Sequence, residues 1–69
     1  MNDVRRKQLE IIKEALENLQ EPTEKIRKSE QEQAEDSGNP DFEANVELLV
    51  SAEKGIQTAL MCLESILEL

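Results

Sequence analysis

Apolar residues recur at intervals of three and four along two long stretches of this chain, and one short polar segment separates the stretches. In the first stretch the recurring positions are Leu9, Ile12, Leu16, Leu19, Thr23 and Ile26. In the second they are Phe42, Val46, Leu49, Glu53, Ile56, Leu60, Leu63 and Leu67. Spacings that alternate in this way place residues on one side of an α-helix and are typical of coiled coils. We therefore predict two amphipathic helices and an all-α fold.

The segment between the two stretches, Asp36-Ser37-Gly38-Asn39-Pro40-Asp41, combines residues that end one helix and begin another. Gly38 can adopt the left-handed conformation that commonly closes a helix. Asn39 is a good N-cap, and Pro40 suits the first position of a helix. We predict a single domain over 1–69, with helices at about 3–35 and 40–67 and a turn at about 36–39. So short a connection makes the helices antiparallel neighbours in a hairpin.

Pro22 falls inside the first predicted helix. Proline has no backbone N–H, and its ring crowds the carbonyl of Asn18, so a kink is expected at this point. The alternative is a break, with a separate short helix over 22–35. The apolar pattern continues at Thr23 and Ile26, which favours one kinked helix.

The two apolar patterns align in an antiparallel hairpin when the numbers of facing residues sum to about 76. This register places Leu19 near Ile56 and puts Thr23 opposite Glu53, the two polar residues that interrupt the patterns. Polar residues in an apolar interface penalise misaligned pairings, so we expect Thr23 and Glu53 to form a layer that fixes the register. The alternative is that Glu53 reaches solvent from the edge of the apolar stripe.

The second helix carries more apolar side chains than one facing helix can cover. A chain of this length forms only a marginal core, and one cysteine without any histidine provides neither an internal disulfide nor a conventional zinc site. We therefore expect the hairpin to dimerise into a four-helix bundle. The residues expected at the interface with a second copy or another partner are Phe42, Val46, Leu48, Ala52, Gly55, Ala59, Cys62 and Ile66.

The chain offers little for catalysis, since it contains no histidine and no tyrosine. Cys62 has no basic neighbour in the sequence that would favour its reactive thiolate form, and we interpret it as a small apolar residue rather than a nucleophile. Paired glutamates that could hold magnesium, as in all-α nucleotide pyrophosphohydrolases, occur at Glu14/Glu17, Glu21/Glu24 and Glu32/Glu35. The second helix supplies no matching pair. We therefore expect no catalytic, cofactor-binding or metal-binding residues.

Charge is distributed unevenly along the chain. Sixteen acidic and eight basic residues give a net charge of −8, and every basic residue except Lys54 lies within residues 1–28. An acidic surface repels phosphate, so neither nucleic acid nor a membrane is expected as a partner. No apolar run approaches the roughly 18 residues of a membrane span, and the N-terminus lacks the apolar stretch of a secretory signal. With its lone free thiol, the chain is expected in the cytoplasm of a bacterium or phage-infected host.

Five segments of the chain carry a family resemblance. They are Arg5-Arg6-Lys7-Gln8-Leu9-Glu10, Leu16-Glu17-Asn18-Leu19, Ser29-Glu30-Gln31-Glu32-Gln33-Ala34-Glu35-Asp36, Ser51-Ala52-Glu53-Lys54-Gly55-Ile56 and Leu63-Glu64-Ser65-Ile66. In these segments the chain resembles a group of uncharacterised small helical-hairpin proteins found mainly in phages and prophages. The chain departs from that group in its shorter turn and in Pro22. The resemblance implies a hairpin fold and a phage or prophage origin, but no activity and no site.

The predicted function is that of a non-enzymatic protein-interaction module, a small phage or prophage accessory protein that binds and modulates a host protein. This prediction includes a role against host defence. Ala52 to Leu63 is also similar to the second helix of phage hairpin proteins that sequester cyclic-nucleotide immune signals. Glu64 and Ser65 stand where those proteins carry a basic residue, and the acidic face would repel a phosphate ligand. The alternatives are a nucleotide- or magnesium-binding all-α protein, and a purely structural oligomer without another partner.

Overall fold

Two α-helices account for nearly all of the computed structural model, which describes residues 2–69. The helix α1 spans Asp3–Ser37 and the helix α2 spans Pro40–Leu67. Lys13 lies beside Glu64 near one end of the molecule, and Glu30 lies beside Asn45 near the other. The helices are therefore antiparallel, at about the predicted register, and the all-α hairpin is confirmed. The molecule measures 52 × 15 × 13 Å, and only Met1 of the predicted domain lies outside the described residues.

The turn between the helices consists of Gly38 and Asn39 alone. Gly38 adopts the left-handed conformation, with φ 65° and ψ 15°, and its N–H donates to the carbonyl of Ala34. The side-chain oxygen of Asn39 accepts a hydrogen bond from the backbone N–H of Asp41 at 3.0 Å, and Pro40 begins α2. These are the roles that the sequence predicts for Gly38, Asn39 and Pro40. The turn is shorter than the predicted 36–39 because the last two residues before Gly38 still belong to α1.

Pro22 lies within α1, which continues through it as one helix. The chain thus does not adopt the alternative of a separate helix over 22–35. Pro22 leaves the carbonyl of Asn18 without its backbone donor, and the hydroxyl of Thr23 donates to the carbonyl of Leu19 at 2.6 Å. A hydroxyl bond to the residue four positions back slightly destabilises a helix and often bends it. Both features therefore weaken α1 near its middle.

The helix α2 presents to α1 the residues that the spacing predicted. Leu60 is buried, the one buried side chain among residues 2–69. The other members of the predicted pattern are half-buried, namely Phe42, Val46, Leu49, Glu53, Ile56, Leu63 and Leu67. The thin core of the hairpin is therefore built mainly from α2.

The helix α1 is rotated relative to its predicted apolar pattern. Its half-buried positions are Arg6, Leu9, Lys13, Leu16, Thr23, Arg27, Glu30 and Ala34. By contrast Ile12, Leu19 and Ile26 are 49%, 51% and 55% exposed, although the sequence placed them against α2. The apolar stripe of α1 is wider than the contact with a single helix, so only one edge of the stripe meets α2. Arg6, Lys13 and Arg27 take half-buried positions where long charged side chains can bury their aliphatic parts.

Replacing the proline in α1 tests whether it weakens the helix. We expect Pro22→Ala to raise the free energy of unfolding by roughly 1–3 kcal/mol, because it restores a backbone hydrogen bond and removes a steric clash. Urea denaturation at one fixed protein concentration measures the change. The control is Ser29→Ala, a substitution at another exposed position of α1, which should add no more than about 0.5 kcal/mol. A loss of stability in Pro22→Ala would mean that the pairing of the helices depends on proline at this position.

Candidate interaction surface

The line along which the helices touch divides the surface of the hairpin into two long sides, and these differ in polarity. On one of them, polar groups join the helices: Lys13 lies 3.8 Å from Glu64, and Arg27 lies 2.7 Å from Glu53. A shallow groove on this side is lined by Gln20, Glu24, Glu53, Ile56 and Gln57. We call this surface the polar side. Its charged and amide groups suit exposure to water.

The opposite surface is largely aliphatic. Ile26 of α1 and Leu48 of α2 line a common groove near the turn, together with Leu49, Glu30 and Asn45. Residues four or seven positions apart lie on the same face of a helix, so this surface continues from Ile26 along α1 and from Leu48 along α2. We call it the apolar side, and its members are Ile12, Leu19, Ile26, Leu48, Ala52, Ala59 and Ile66. All of them are exposed except Ala59, which is partly exposed, and Leu48 reaches 70%.

The eight residues predicted for an interface separate into two groups in the structure. Phe42 and Val46 are half-buried along α2 in the seam with α1, so they contribute to the hairpin itself. The other six lie on or beside the apolar side, and of these Leu48, Ala52, Gly55, Cys62 and Ile66 are exposed. The sequence reasoning missed the contribution of α1 to this surface. The signal was present, since Val4 and Ile11 already extend the apolar stripe beyond one seam.

Gly55 lies at mid-length on α2, beside the apolar side. A methyl group added there would meet no atom within 4 Å. Gly55 therefore does not serve a close approach between α1 and α2. Because a glycine inside a helix costs about 1 kcal/mol relative to alanine, any packing benefit of Gly55 has to come from outside the hairpin.

Glu53 interrupts the apolar pattern of α2 and is paired across the seam. Its Oε1 accepts a hydrogen bond from Nε of Arg27 at 2.7 Å, and both side chains are only 22% exposed. This bond raises the pKa of Arg27 above its ordinary value. Nη1 of Arg27 also donates to the side-chain oxygen of Gln31 at 3.1 Å. The guanidinium is thereby held in one orientation beside the carboxylate.

The predicted partner of Glu53 was Thr23, and the structure replaces it with Arg27. The hydroxyl of Thr23 is already used by the backbone of α1, at the carbonyl of Leu19. The rotation of α1 brings Arg27, one turn further along, to face Glu53, and a guanidinium offers a carboxylate a full opposite charge. A role of Glu53 in fixing the register remains a prediction, with Arg27 as its partner.

Two of the three glutamate pairs on α1 carry lysine contacts. Glu17 lies 3.9 Å from Lys13, Glu21 lies 3.2 Å from Lys25, and Glu24 lies 3.0 Å from Lys28. The hydrogen bond from Lys28 lowers the pKa of Glu24. Within residues 2–69 no three carboxylate or thiol groups come together in an arrangement that could hold a metal ion. These glutamates therefore form contacts along one helix surface.

The chain matches no protein-family model, no curated protein and no solved structure. Neither α1 nor α2 contains a stretch that is long and apolar enough to cross a lipid bilayer.

The pair formed by Arg27 and Glu53 can be tested by removing one partner and then both. We expect Arg27→Met to lower the melting temperature, because it leaves the carboxylate of Glu53 without its partner in the seam. Arg27→Met with Glu53→Leu should recover the loss, since two apolar residues pack where the ion pair stood, and should make the oligomeric state less uniform. The control is Lys25→Met, which removes the exposed pair with Glu21 and should change little.

Circular dichroism melts and molar mass by light scattering give both quantities. A double variant that is less stable than Arg27→Met and keeps a single oligomeric state would contradict a register role for Glu53.

Proposed function

We propose that the protein is a non-enzymatic interaction module that works as a homodimer, in which the apolar sides of two hairpins pack against each other as a four-helix bundle. The observation that supports this proposal is the apolar side itself. It runs along both helices from Ile12 and Ile66 at one end to Ile26 and Leu48 at the other. Contiguous exposed aliphatic surface of this kind marks an interaction site.

The total surface of the hairpin is consistent with one missing neighbour. Its accessible area is 5299 Å², whereas a compact monomeric protein of 7.9 kDa exposes about 4,400 Å². The difference, about 900 Å², is close to the roughly 800 Å² that each partner buries in a stable protein–protein interface. A second hairpin on the apolar side would bring the exposed area per chain into the ordinary range.

The rotation of α1 has a simple explanation in such a bundle. Each helix of a four-helix bundle contacts two neighbours, so its core-facing stripe is wider than in a pair of helices. On α1 the edge with Leu9 and Leu16 meets α2, and the edge with Ile12 and Leu19 would meet the second copy. The full apolar stripe of α1 then has a partner.

The wider role we propose is binding to a protein of the host, in the cytoplasm of a bacterium or phage-infected cell. The resemblance to small phage and prophage hairpins supports this setting. The net charge of −8 supports a protein as the partner rather than a nucleic acid, because the surface repels phosphate. The lysine contacts of the glutamates on α1 and the absence of histidine favour binding over catalysis.

A matched pair of substitutions tests the homodimer. Leu48 on the apolar side and Met61, which lies away from it, are almost equally exposed in the hairpin, at 70% and 68%. We expect Leu48→Glu to weaken dimerisation by at least about tenfold, because the bundle would bury the new carboxylate without a partner. Met61→Glu adds the same charge where the bundle stays open to water, and should leave the dimer intact.

Sedimentation equilibrium across micromolar concentrations, with circular dichroism as a check of helix content, measures both effects. A wild-type chain that is a stable helical monomer would contradict the homodimer, as would equal dissociation of the two variants.

Binding to a host protein is tested by affinity capture from a bacterial lysate. We expect the tagged wild-type dimer to retain a defined host protein, and Leu48→Glu to lose it if the partner recognises the bundle. Mass spectrometry of the eluates, compared with those from an unrelated acidic helical protein, identifies specific capture. Retention of no protein beyond that control would contradict the host-binding role and favour a purely structural oligomer.

A further inference from the structure

We infer that the second copy binds antiparallel to the first, so that the two turns lie at opposite ends of the bundle. The inference rests on the proposed homodimer and specifies the orientation of its two copies. It follows from the uneven distribution of charge along the hairpin, together with the symmetry of the apolar side.

The two ends of the hairpin carry very different charges. The end with the turn, residues 27–49, contains two basic and seven acidic residues and has a net charge of −5. The open end, residues 2–14 and 62–69, contains four basic and five acidic residues and has a net charge of −1 from side chains. Its basic residues include the cluster Arg5-Arg6-Lys7. The hairpin is thus strongly acidic at one end and nearly neutral at the other.

A parallel dimer would place the two acidic ends side by side. Packed helices lie about 8–10 Å apart, which is close to the Debye length of about 8 Å at physiological ionic strength. Repulsion between the two clusters of carboxylates would therefore be only partly screened. An antiparallel dimer places each acidic end beside the open end of the other copy, where Arg5, Arg6 and Lys7 lie.

The apolar side fits this arrangement because it is symmetric about its middle. Ile12 and Ile26 lie equally far from Leu19, on either side of it. Leu19 of α1 faces the region of Ile56 on α2. Along the length of α2, Leu48 and Ile66 lie on opposite sides of that region. A twofold axis through this middle would bring Ile12 of one copy to the level of Ile26 of the other, and Leu48 of one copy to that of Ile66 of the other. The apolar contacts permit either orientation, and the charge distribution selects the antiparallel one.

The experiment measures distances between spin labels on the two copies of the full chain. The labels are placed at Gln8→Cys near the open end and Gln33→Cys near the turn, each with Cys62→Ser. Both glutamines are exposed, and their replacement leaves the charge distribution unchanged. Pulsed electron paramagnetic resonance gives the distance between labels in dimers of each variant and in dimers formed by mixing the two.

In the antiparallel dimer, the two labels at Gln33→Cys are expected about 40 Å apart and those at Gln8→Cys about 30 Å apart, from the helical rise of 1.5 Å per residue. Mixed dimers, with one label of each kind, should give a distance below about 25 Å, because the two positions then share a level. A parallel dimer gives the reverse pattern, with short distances in each pure sample, and would overturn the inference.

A third labelled variant separates failure of the orientation from failure of the dimer. Thr58→Cys with Cys62→Ser lies near the middle of the hairpin, where a dimer of either orientation brings the two labels close together. A short distance at this position confirms that the dimer forms. Its absence, with the molar mass of a monomer, would overturn the proposed homodimer and the orientation with it.

Discussion

Two helices touch along a single line, and this limit governs the rest of the structure. A line of contact shelters one narrow stripe on each helix, so Leu60 is the one buried side chain among residues 2–69. Everything else in the seam is at most half-buried. Stability from apolar burial scales with the area removed from water, and a hairpin of 52 Å by 15 Å by 13 Å removes little. Because this shape covers so little apolar surface, the apolar side remains exposed.

A seam this thin can also accommodate charge. Arg27 and Glu53 meet in it at 2.7 Å, each still partly open to water, so neither ion bears the full penalty of burial. The same openness lets Lys13 occupy a half-buried position while its amino group approaches Glu17 and Glu64. On the polar side, the hairpin therefore ends in charged contacts between its helices. On the other side, aliphatic groups face solvent along most of the length, and Asn45 donates a hydrogen bond to Glu30 across the helices near the turn.

The difference between the two sides is what suggests a binding function. A monomeric hairpin would be more soluble with polar groups on both sides, because a small protein with a large aliphatic surface tends to associate. This chain does not have polar groups on both sides. The middle of its apolar side holds Leu19, Ala52 and Ala59, and its acidic residues are concentrated toward the turn. The apolar side would thus contact a neighbour, and the acidic end with the turn would select the orientation of that neighbour.

The sequence by itself determined the helices, their turn and their approximate register, because these depend on local chemistry and on periodic spacing. Gly38, Asn39 and Pro40 act through their own backbone preferences, and the seam of α2 follows directly from its spacing. The rotation of α1 was decided only by the tertiary structure. Its apolar stripe offers two possible edges, and periodicity cannot say which edge meets α2. That choice exposed Ile12, Leu19 and Ile26, and it gave Glu53 the long, charged Arg27 as partner in place of Thr23.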